Sequence, residues 1–414
     1  MYYYSLALLG SHLDSLTYHS KIPLSIGAKV SIKLINRETE GVILSAVEMP
    51  MFKTNSILEI LPFVYSESQI KIAQFMAEYY GSSVGEALNL FVPFEGYSVR
   101  PERVEGFMVR HAHHERESIN ITLSLTQSQS LDFIRSHPVS LLFGDTGAGK
   151  SEIYMKRMDE VLSSGKRALL LLPEISLTPQ MEQRFKHHFG ELFVLWHSKM
   201  TPKQKKATLE KIHDGSAQII AGPRSALFLP IVDLGLIVVD EEHDESYKSS
   251  SRPRYNARDM AIYIGALLKI PVVLGSATPS LGSYAKYPYY RLRGGYYTSK
   301  RSFVYEPSIE ALTPFLDEHI VSNFTAGHQG IVFIPTRANF KTMVCDSCGY
   351  VVECPFCSVG MSLHRNARAL KCHYCNYTEV LPRVCPKCQS GHLSTTRLGT
   401  AEAVEHFEKN LGEI

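Results

Sequence analysis

The cysteines of this chain have the spacing of metal ligands. All eight lie between residues 345 and 388 as four Cys-x-x-Cys pairs, and this spacing lets two thiolates bind one tetrahedral ion. Eight sulfurs suffice for two closed four-sulfur sites, so the pattern predicts two structural Zn²⁺ ions. Spacing alone does not decide which pairs share an ion. The predicted ligands are Cys345, Cys348, Cys354, Cys357, Cys372, Cys375, Cys385 and Cys388.

Two other uses of these cysteines are disfavoured. A disulfide cluster would need an oxidising compartment, whereas the first ten residues lack the basic flank of a signal peptide, so we expect a cytoplasmic protein. Iron–sulfur clusters use different spacings. His364 and His373 lie among the pairs, but with eight cysteines present we expect both histidines at the surface.

A glycine-rich segment at residues 144–151 has the form G-x-x-x-x-G-K-S. It follows an apolar run and precedes a helical segment, which is the context of a phosphate-binding loop. Glycines let backbone N–H groups face the phosphates, Lys150 adds a positive charge, and Ser151 offers a hydroxyl to Mg²⁺. The segment therefore predicts a site for ATP with Mg²⁺. Its predicted ATP-binding residues are Gly144, Thr146, Gly147, Gly149, Lys150 and Ser151.

An acidic cluster at residues 240–243 follows a second apolar run, residues 234–239. A carboxylate at the end of a strand beside a phosphate-binding loop is what nucleotide hydrolysis requires. Asp240 would hold Mg²⁺ through its water shell, and Glu241 would orient and deprotonate the attacking water. We therefore predict Lys150, Asp240 and Glu241 as the catalytic residues.

These motifs need a buried parallel sheet to position them. Strand-length apolar runs alternate with helical patterns at residues 139–143, 167–172, 218–221, 234–239 and 270–274. Such alternation predicts an α/β lobe whose sheet is covered on both faces. A further run at residues 330–335 predicts the start of a second sheet that the cysteines interrupt.

The rest of the chain divides by composition. Residues 1–94 combine β-type runs with one helical stretch and predict a small α+β domain, whereas residues 95–122 are polar and charged and predict a linker. The net charge of +2 does not indicate a polyanionic partner, and no apolar run is long enough to cross a membrane.

Three segments resemble motifs I, II and III of superfamily 2 helicases, which couple ATP turnover to movement along nucleic acid. They are residues 144–151, residues 240–243 and the Gly-Ser-Ala-Thr-Pro segment at residues 275–279. The resemblance implies a RecA-like lobe at residues 123–300. It also implies that His243, Ser276 and Thr278 couple the nucleotide site to DNA. Gln129, in a segment similar to the Q motif, would then read the adenine.

Within that superfamily, the chain resembles the bacterial replication-restart helicases over nearly its whole length. The resemblance rests on residues 172–180, 197–198, 224–228, 244–248 and 254–259, together with the cysteines. Another superfamily 2 motor would explain the ATP motifs but not those cysteines. The resemblance implies a 3′-to-5′ DNA helicase that recognises stalled or branched forks and initiates primosome assembly. Implied partners are single-stranded and forked DNA, primosome and helicase-loading proteins, and single-strand DNA-binding protein, with no membrane.

The same resemblance assigns further residues. It implies nested zinc sites, with Cys345, Cys348, Cys385 and Cys388 on one ion and the inner four cysteines on the other. It implies an aromatic-rich loop that contacts single-stranded DNA, and a 3′-end DNA-binding domain at residues 1–94. The implied DNA-binding residues are Arg224, Tyr247, Lys248, Arg254 and Tyr255.

The sequence departs from the family pattern in three places. Residues 16–18 read Leu-Thr-Tyr where many relatives carry Phe-Asp-Tyr, and residues 95–122 are too short for a winged-helix domain. The second lobe is represented only by its start at residues 301–343 and a fragment at 393–414, around a two-zinc module at 344–392. We therefore weigh an alternative function, an ATP- and fork-DNA-binding primosome scaffold without effective unwinding.

Overall fold

A computed structural model describes residues 1–95, 121–173, 179–294, 302–306, 313–333, 343–357, 359–364, 369–372, 375–389, 391–395 and 400–411. Two compact units are present, Met1–Ser299 and Lys300–Ile414. Most of the predicted linker 95–122 lies outside the described residues. Among the residues that are described, none of the helices is both long and apolar enough to cross a bilayer.

The first unit begins with a closed five-stranded barrel. Strand β1 pairs with β2 and β4, β3 pairs with β4 and β5, and a short parallel pairing of β2 with β5 closes the circle. Buried alternate side chains such as Leu6, Leu8, Val30 and Ile32 fill the barrel. The strands are β1 (Tyr2–Leu8), β2 (Leu16–Ser20), β3 (Ala28–Leu34), β4 (Arg37–Val47) and β5 (Asn55–Val64).

Two capped helices follow the barrel, α1 (Glu67–Tyr80) and α2 (Val84–Leu88). Each begins with a capping box, Ser66 with Gln69 and Ser83 with Glu86, and α1 ends at Gly81 with φ of 62°. A two-residue strand β6 (Phe94–Glu95) then returns to β5. The predicted small α+β domain is confirmed.

A seven-stranded parallel sheet forms the rest of the first unit, in the order β13-β7-β12-β11-β8-β10-β9. Its central strands are buried along their whole length, as their continuous apolar runs predicted. The predicted α/β lobe is thus confirmed. The strands are β7 (Val139–Gly144), β8 (Arg167–Leu171), β9 (Phe193–Leu195), β10 (Ile219–Gly222), β11 (Leu234–Val239), β12 (Val272–Ser276) and β13 (Tyr289–Leu292).

Helices cover both faces of this sheet. One face packs in a core that also contains α1 residues, among them Ile70 and Met76, so the barrel domain and the lobe share a core. The other face packs against residues such as Ile153 and Met158. The helices are α3 (Leu125–Arg135), α4 (Lys150–Ser163), α5 (Pro179–Phe189), α6 (Pro202–Asp214), α7 (Ala257–Leu268) and α8 (Leu281–Lys286).

The second unit contains the cysteines. Strand β14 (Met343–Cys345) pairs with β18 (Leu393–Thr395), and β15 (Ser362–His364), β16 (Ala369–Lys371) and β17 (Thr378–Val380) form a separate antiparallel sheet. The described part of the unit also contains the helices α9 (Pro314–Thr325) and α10 (Thr400–Leu411). The strand expected at residues 330–335 is wrong for its described part, because residues 331–333 form no strand and Ile331 is 96% exposed.

Candidate functional site

The phosphate-binding loop connects β7 to α4, as its sequence context predicted. Gly147 and Gly149 have φ of 78° and 85°, and a side chain at Gly149 would collide with Gln127, whose Nε2 would lie 2.1 Å from its Cβ. Lys150 opens α4, and its Nζ donates to the carbonyl of Gly144 at 3.0 Å. Thr146 is exposed and Ser151 half-buried at the same turn. The loop thus presents backbone and lysine donors to an anion.

A glutamine other than the expected one touches this loop. Gln127 Nε2 lies 3.4 Å from the carbonyl oxygen of Ala148, whereas Gln129 is exposed and accepts a hydrogen bond from the Tyr290 hydroxyl at 3.0 Å. Gln127 also closes the capping box of α3 with Ser124. That capping pattern, visible in the sequence, was the signal that could have drawn attention to Gln127.

Asp240 and Glu241 lie directly after β11, between the carboxyl ends of β8 and β12. The Tyr154 hydroxyl of α4 donates to Asp240 Oδ1 at 3.0 Å. Burial, with a smaller effect from the charge of Glu241, raises the pKa of Asp240 to about 6, and Lys150 opposes the shift. Glu241 has φ of 46°, a left-handed conformation that is uncommon for a non-glycine residue.

The three predicted coupling residues form one hydrogen-bonded group. His243 Nδ1 lies 2.8 Å from Ser276 Oγ, and His243 Nε2 lies 3.3 Å from Thr278 Oγ1. The Thr278 amide also donates to Ser276 Oγ at 2.9 Å. The imidazole therefore spans the two ends of the turn after β12.

Glu242, which the sequence analysis did not single out, is buried, with 1% of its surface exposed. Its carboxylate accepts hydrogen bonds from the Ser280 amide at 2.7 Å and from the Ser283 hydroxyl at 2.7 Å. Arg258 of α7 donates to it at 3.1 Å. A buried carboxylate is stable only with such partners, so Glu242 fixes α7 and α8 to the acidic segment.

The expectation that Tyr247 and Tyr255 contact DNA is corrected by their burial. Tyr247 is 1% exposed and donates to the carbonyl of Asp240 at 2.6 Å, and Tyr255 is 3% exposed and packs edge-on against Phe228. Neither ring offers a face to a base, because both lie in the core. Their packing stabilises the loop instead.

The other predicted DNA-binding residues take two different positions. Arg224 Nη1 donates to the carbonyls of Ser246 at 2.8 Å and Lys248 at 2.9 Å. These two hydrogen bonds stabilise the backbone at the start of the loop. Lys248 and Arg254 are exposed. The Lys248 ammonium donates to the Arg254 carbonyl at 2.5 Å, so the two exposed cations lie side by side on the loop.

The cysteines form two groups of four. Each group keeps its sulfurs within 4.8 Å of one another, with Cys345 3.6 Å from Cys388 and Cys354 3.5 Å from Cys375. A tetrahedral zinc ion with Zn–S bonds of about 2.3 Å separates its thiolates by about 3.8 Å. The groups are Cys345, Cys348, Cys385 and Cys388, and Cys354, Cys357, Cys372 and Cys375. These are the nested sets that the family resemblance implies.

The electrostatics of the inner group also fit a cation. The neighbouring thiol of Cys375, together with burial, raises the pKa of Cys357 to about 12, whereas a bound cation deprotonates a coordinating thiol. A disulfide would require sulfurs about 2.05 Å apart. The residues thus fit Zn²⁺. His373 and the side chain of His364 lie outside the described residues.

Three family models match separate segments of the chain. The 3'DNA-binding domain (3'BD) matches residues 7–93, the DEAD/DEAH box helicase matches residues 124–286, and the PriA DNA helicase Cys-rich region (CRR) domain matches residues 354–379. Solved structures that are similar include the Pyrococcus furiosus Hef helicase domain, 19% identical over 41% of this chain and 38% of that one, with a TM-score of 0.33.

Curated relatives extend the match to nearly the whole chain. The replication restart protein PriA of Helicobacter pylori strain J99 is 44% identical over 99% of this chain, and that of Bacillus subtilis strain 168 is 39% identical over 66%. The chain spans 65% of the length of the Helicobacter protein and 36% of the Bacillus protein. From these matches and the three family models, we conclude that the chain belongs to the family of PriA replication restart proteins.

Proposed function

We propose that this chain is the ATP-dependent motor of a replication-restart DNA helicase that moves 3′ to 5′ and acts at stalled or branched forks. The proposal rests on the hydrogen bonds that motif II, residues 240–243, forms with two other parts of the lobe. Asp240 is bonded to the helix that follows the phosphate-binding loop, and His243, three residues later, to the turn of motif III. A change at the nucleotide is therefore tied to a change in the turn after β12.

Each residue of the nucleotide site then has a defined task. Lys150 leaves the Gly144 carbonyl and neutralises the outer phosphates. Ser151 and Asp240 are oxygen donors of the kind that Mg²⁺ prefers, and the bound ion would neutralise charge on the phosphates. Glu241 accepts a proton from the water that attacks the γ-phosphorus, as ADP departs. We keep Lys150, Asp240 and Glu241 as the proposed catalytic residues, and Gln129 as the proposed adenine reader.

The proposal extends to DNA and to proteins. The match of residues 7–93 to a 3'DNA-binding domain supports fork recognition by the barrel, and the exposed charges of Lys248 and Arg254 support phosphate binding by the loop. Primosome and helicase-loading proteins and single-strand DNA-binding protein are proposed partners, in the cytoplasm. The two zinc sites are proposed to stabilise the cysteine module of the second unit.

Steady-state ATP turnover with and without forked DNA tests the motor. We expect DNA-stimulated turnover that Glu241→Gln reduces at least about 100-fold, since it removes the general base. Glu245→Gln is the matched control, because that carboxylate is exposed four residues away. Forks with one protected arm then report the direction of unwinding. Binding of ATP and forks without turnover in the unaltered chain would refute the motor and support the primosome-scaffold alternative.

A further inference from the structure

The end of α1 in the barrel domain forms hydrogen bonds with the loop that follows motif II. This loop, residues 248–256, is closed at its base by a bridge between Lys248 and Asn256. The Asn256 amide donates to the Tyr80 hydroxyl at 3.3 Å, and Arg252 Nη2 donates to the Gly81 carbonyl at 2.8 Å. The ammonium group of Lys248 lies 5.2 Å from the centroid of the Tyr80 ring. Both ends and the tip of the loop are thus held by the end of α1.

A buried carboxylate on the barrel side strengthens this contact. Glu86 is 6% exposed, caps α2 through the Ser83 amide, and lies 3.7 Å from Arg252 Nε. It also pairs with His12 at 2.5 Å, in the turn between β1 and β2. Glu86 therefore connects a turn of the barrel to the loop through one side chain.

The loop in turn is bonded to motif II at both ends. Before the loop, Tyr247 donates to the Asp240 carbonyl. After it, Asn256 caps α7 by accepting from the Arg258 amide at 3.0 Å, and Arg258 pairs with Glu242. The barrel domain and the acidic segment are thus joined by an unbroken series of hydrogen bonds.

We propose that Tyr80 and Arg252 are positioning residues, which hold the loop so that DNA binding at the barrel domain and the loop is coupled to nucleotide binding. This rests on the proposed function, since it assumes that one chain binds both ligands. Coupling of this kind requires an element that both sites bias, and the loop is bonded to both. No hydrogen bond joins Tyr80 directly to motif II or motif III within the described residues, so its effect would act through the loop and the adjoining start of α7.

Hydrogen–deuterium exchange of the whole chain tests this contact without ATP turnover. Tyr80→Phe removes one acceptor and keeps the ring, so exchange across residues 248–258 should rise about fivefold, the factor that one neutral hydrogen bond contributes. Tyr79→Phe is the matched control, because that ring neighbours Tyr80 and is 69% exposed. Peptides containing Phe75 and Tyr263, which stack at 3.7 Å, should keep their exchange and report that the domains remain packed. Unchanged exchange in Tyr80→Phe would overturn this role of Tyr80.

Affinity for a non-hydrolysable ATP analogue, with and without single-stranded DNA, tests the coupling. The ratio of the two affinities should move toward one in Tyr80→Phe and in Arg252→Ala, and stay at the unaltered value in Tyr79→Phe. A ratio of one in the unaltered chain, or an unchanged ratio in both variants, would overturn the proposal. Failure of the proposed motor would appear separately, as absent turnover with the coupling ratio intact.

Discussion

Replacing cysteines two at a time tests the nested zinc sites. Cys345 and Cys388 belong to one group, with their sulfurs 3.6 Å apart, whereas Cys345 and Cys354 belong to different groups. Structural zinc in small domains is bound with about 10–16 kcal/mol over four ligands, so each thiolate contributes about 3 kcal/mol, or about 100-fold in affinity. A chelator of intermediate affinity will therefore remove zinc from a site lacking one ligand and leave an intact site filled.

The expected zinc contents follow from this grouping. After the chelator, Cys345→Ala with Cys388→Ala should retain about one zinc per chain, and Cys345→Ala with Cys354→Ala about none, by mass spectrometry of the purified protein. Sites built from sequence-adjacent pairs would give the opposite result. His373→Ala should keep both ions and serves as the control. About one zinc in the second variant and none in the first would refute the nested arrangement.

Three further predictions concern the acidic segment. Glu242→Ala should lower the free energy of unfolding of residues 1–299 by about 3–5 kcal/mol, because Arg258 loses its buried partner. Glu242→Gln should lower it by less. Equal losses for the two variants in chemical denaturation would contradict this reasoning. The pKa of Asp240 is about 6 in the folded protein and about 3.9 in the unfolded chain. Protonation of Asp240 therefore stabilises the nucleotide-free protein by at most about 3 kcal/mol. This stabilisation is complete below about pH 4 and is lost as the pH rises through about 6. Asp240→Asn should flatten that part of the pH–stability curve, and an unchanged curve would contradict it. Gly275→Ala should cost about 1–3 kcal/mol, because its Cβ would lie 1.6 Å from the Tyr154 hydroxyl, and Tyr154→Phe should recover part of the loss in denaturation measurements.

Local patterns predicted the features that depend on local sequence. Buried strands of a parallel sheet need continuous apolar runs, and a phosphate-binding loop needs glycine at its left-handed positions, so both were visible in the sequence. The edge strand β13 was not predicted, because Tyr289 and Arg291 on it are polar and it pairs on one side only. Closure of the barrel by β2 and β5 depends on a pairing between distant segments, which no local pattern encodes.

Burial of polar residues was the information that the sequence lacked. Tyr247 and Tyr255 were expected to face DNA, since tyrosine is common both in cores and in nucleic-acid interfaces. Gln127 and Gln129 lie two residues apart on α3 and therefore point to different sides of the helix. Which of them contacts the phosphate-binding loop depends on how α3 is rotated against the lobe. Glu242 is buried because Arg258 and Ser280, 16 and 38 residues away in the chain, converge on it.

Three of the four residues of motif II, all but Glu241, form side-chain hydrogen bonds to different parts of the lobe. Asp240 is bonded to α4, Glu242 to α7 and α8, and His243 to the turn after β12. Glu241 lies between them in a left-handed backbone conformation, so its backbone position depends on how its two neighbours are held. Glu242, which pairs with Arg258 of α7, is the residue next to the proposed general base. Since the start of α7 is held by the loop that is bonded to the barrel domain, the barrel domain is the part of the described chain best placed to alter the geometry of Glu241 without touching the nucleotide.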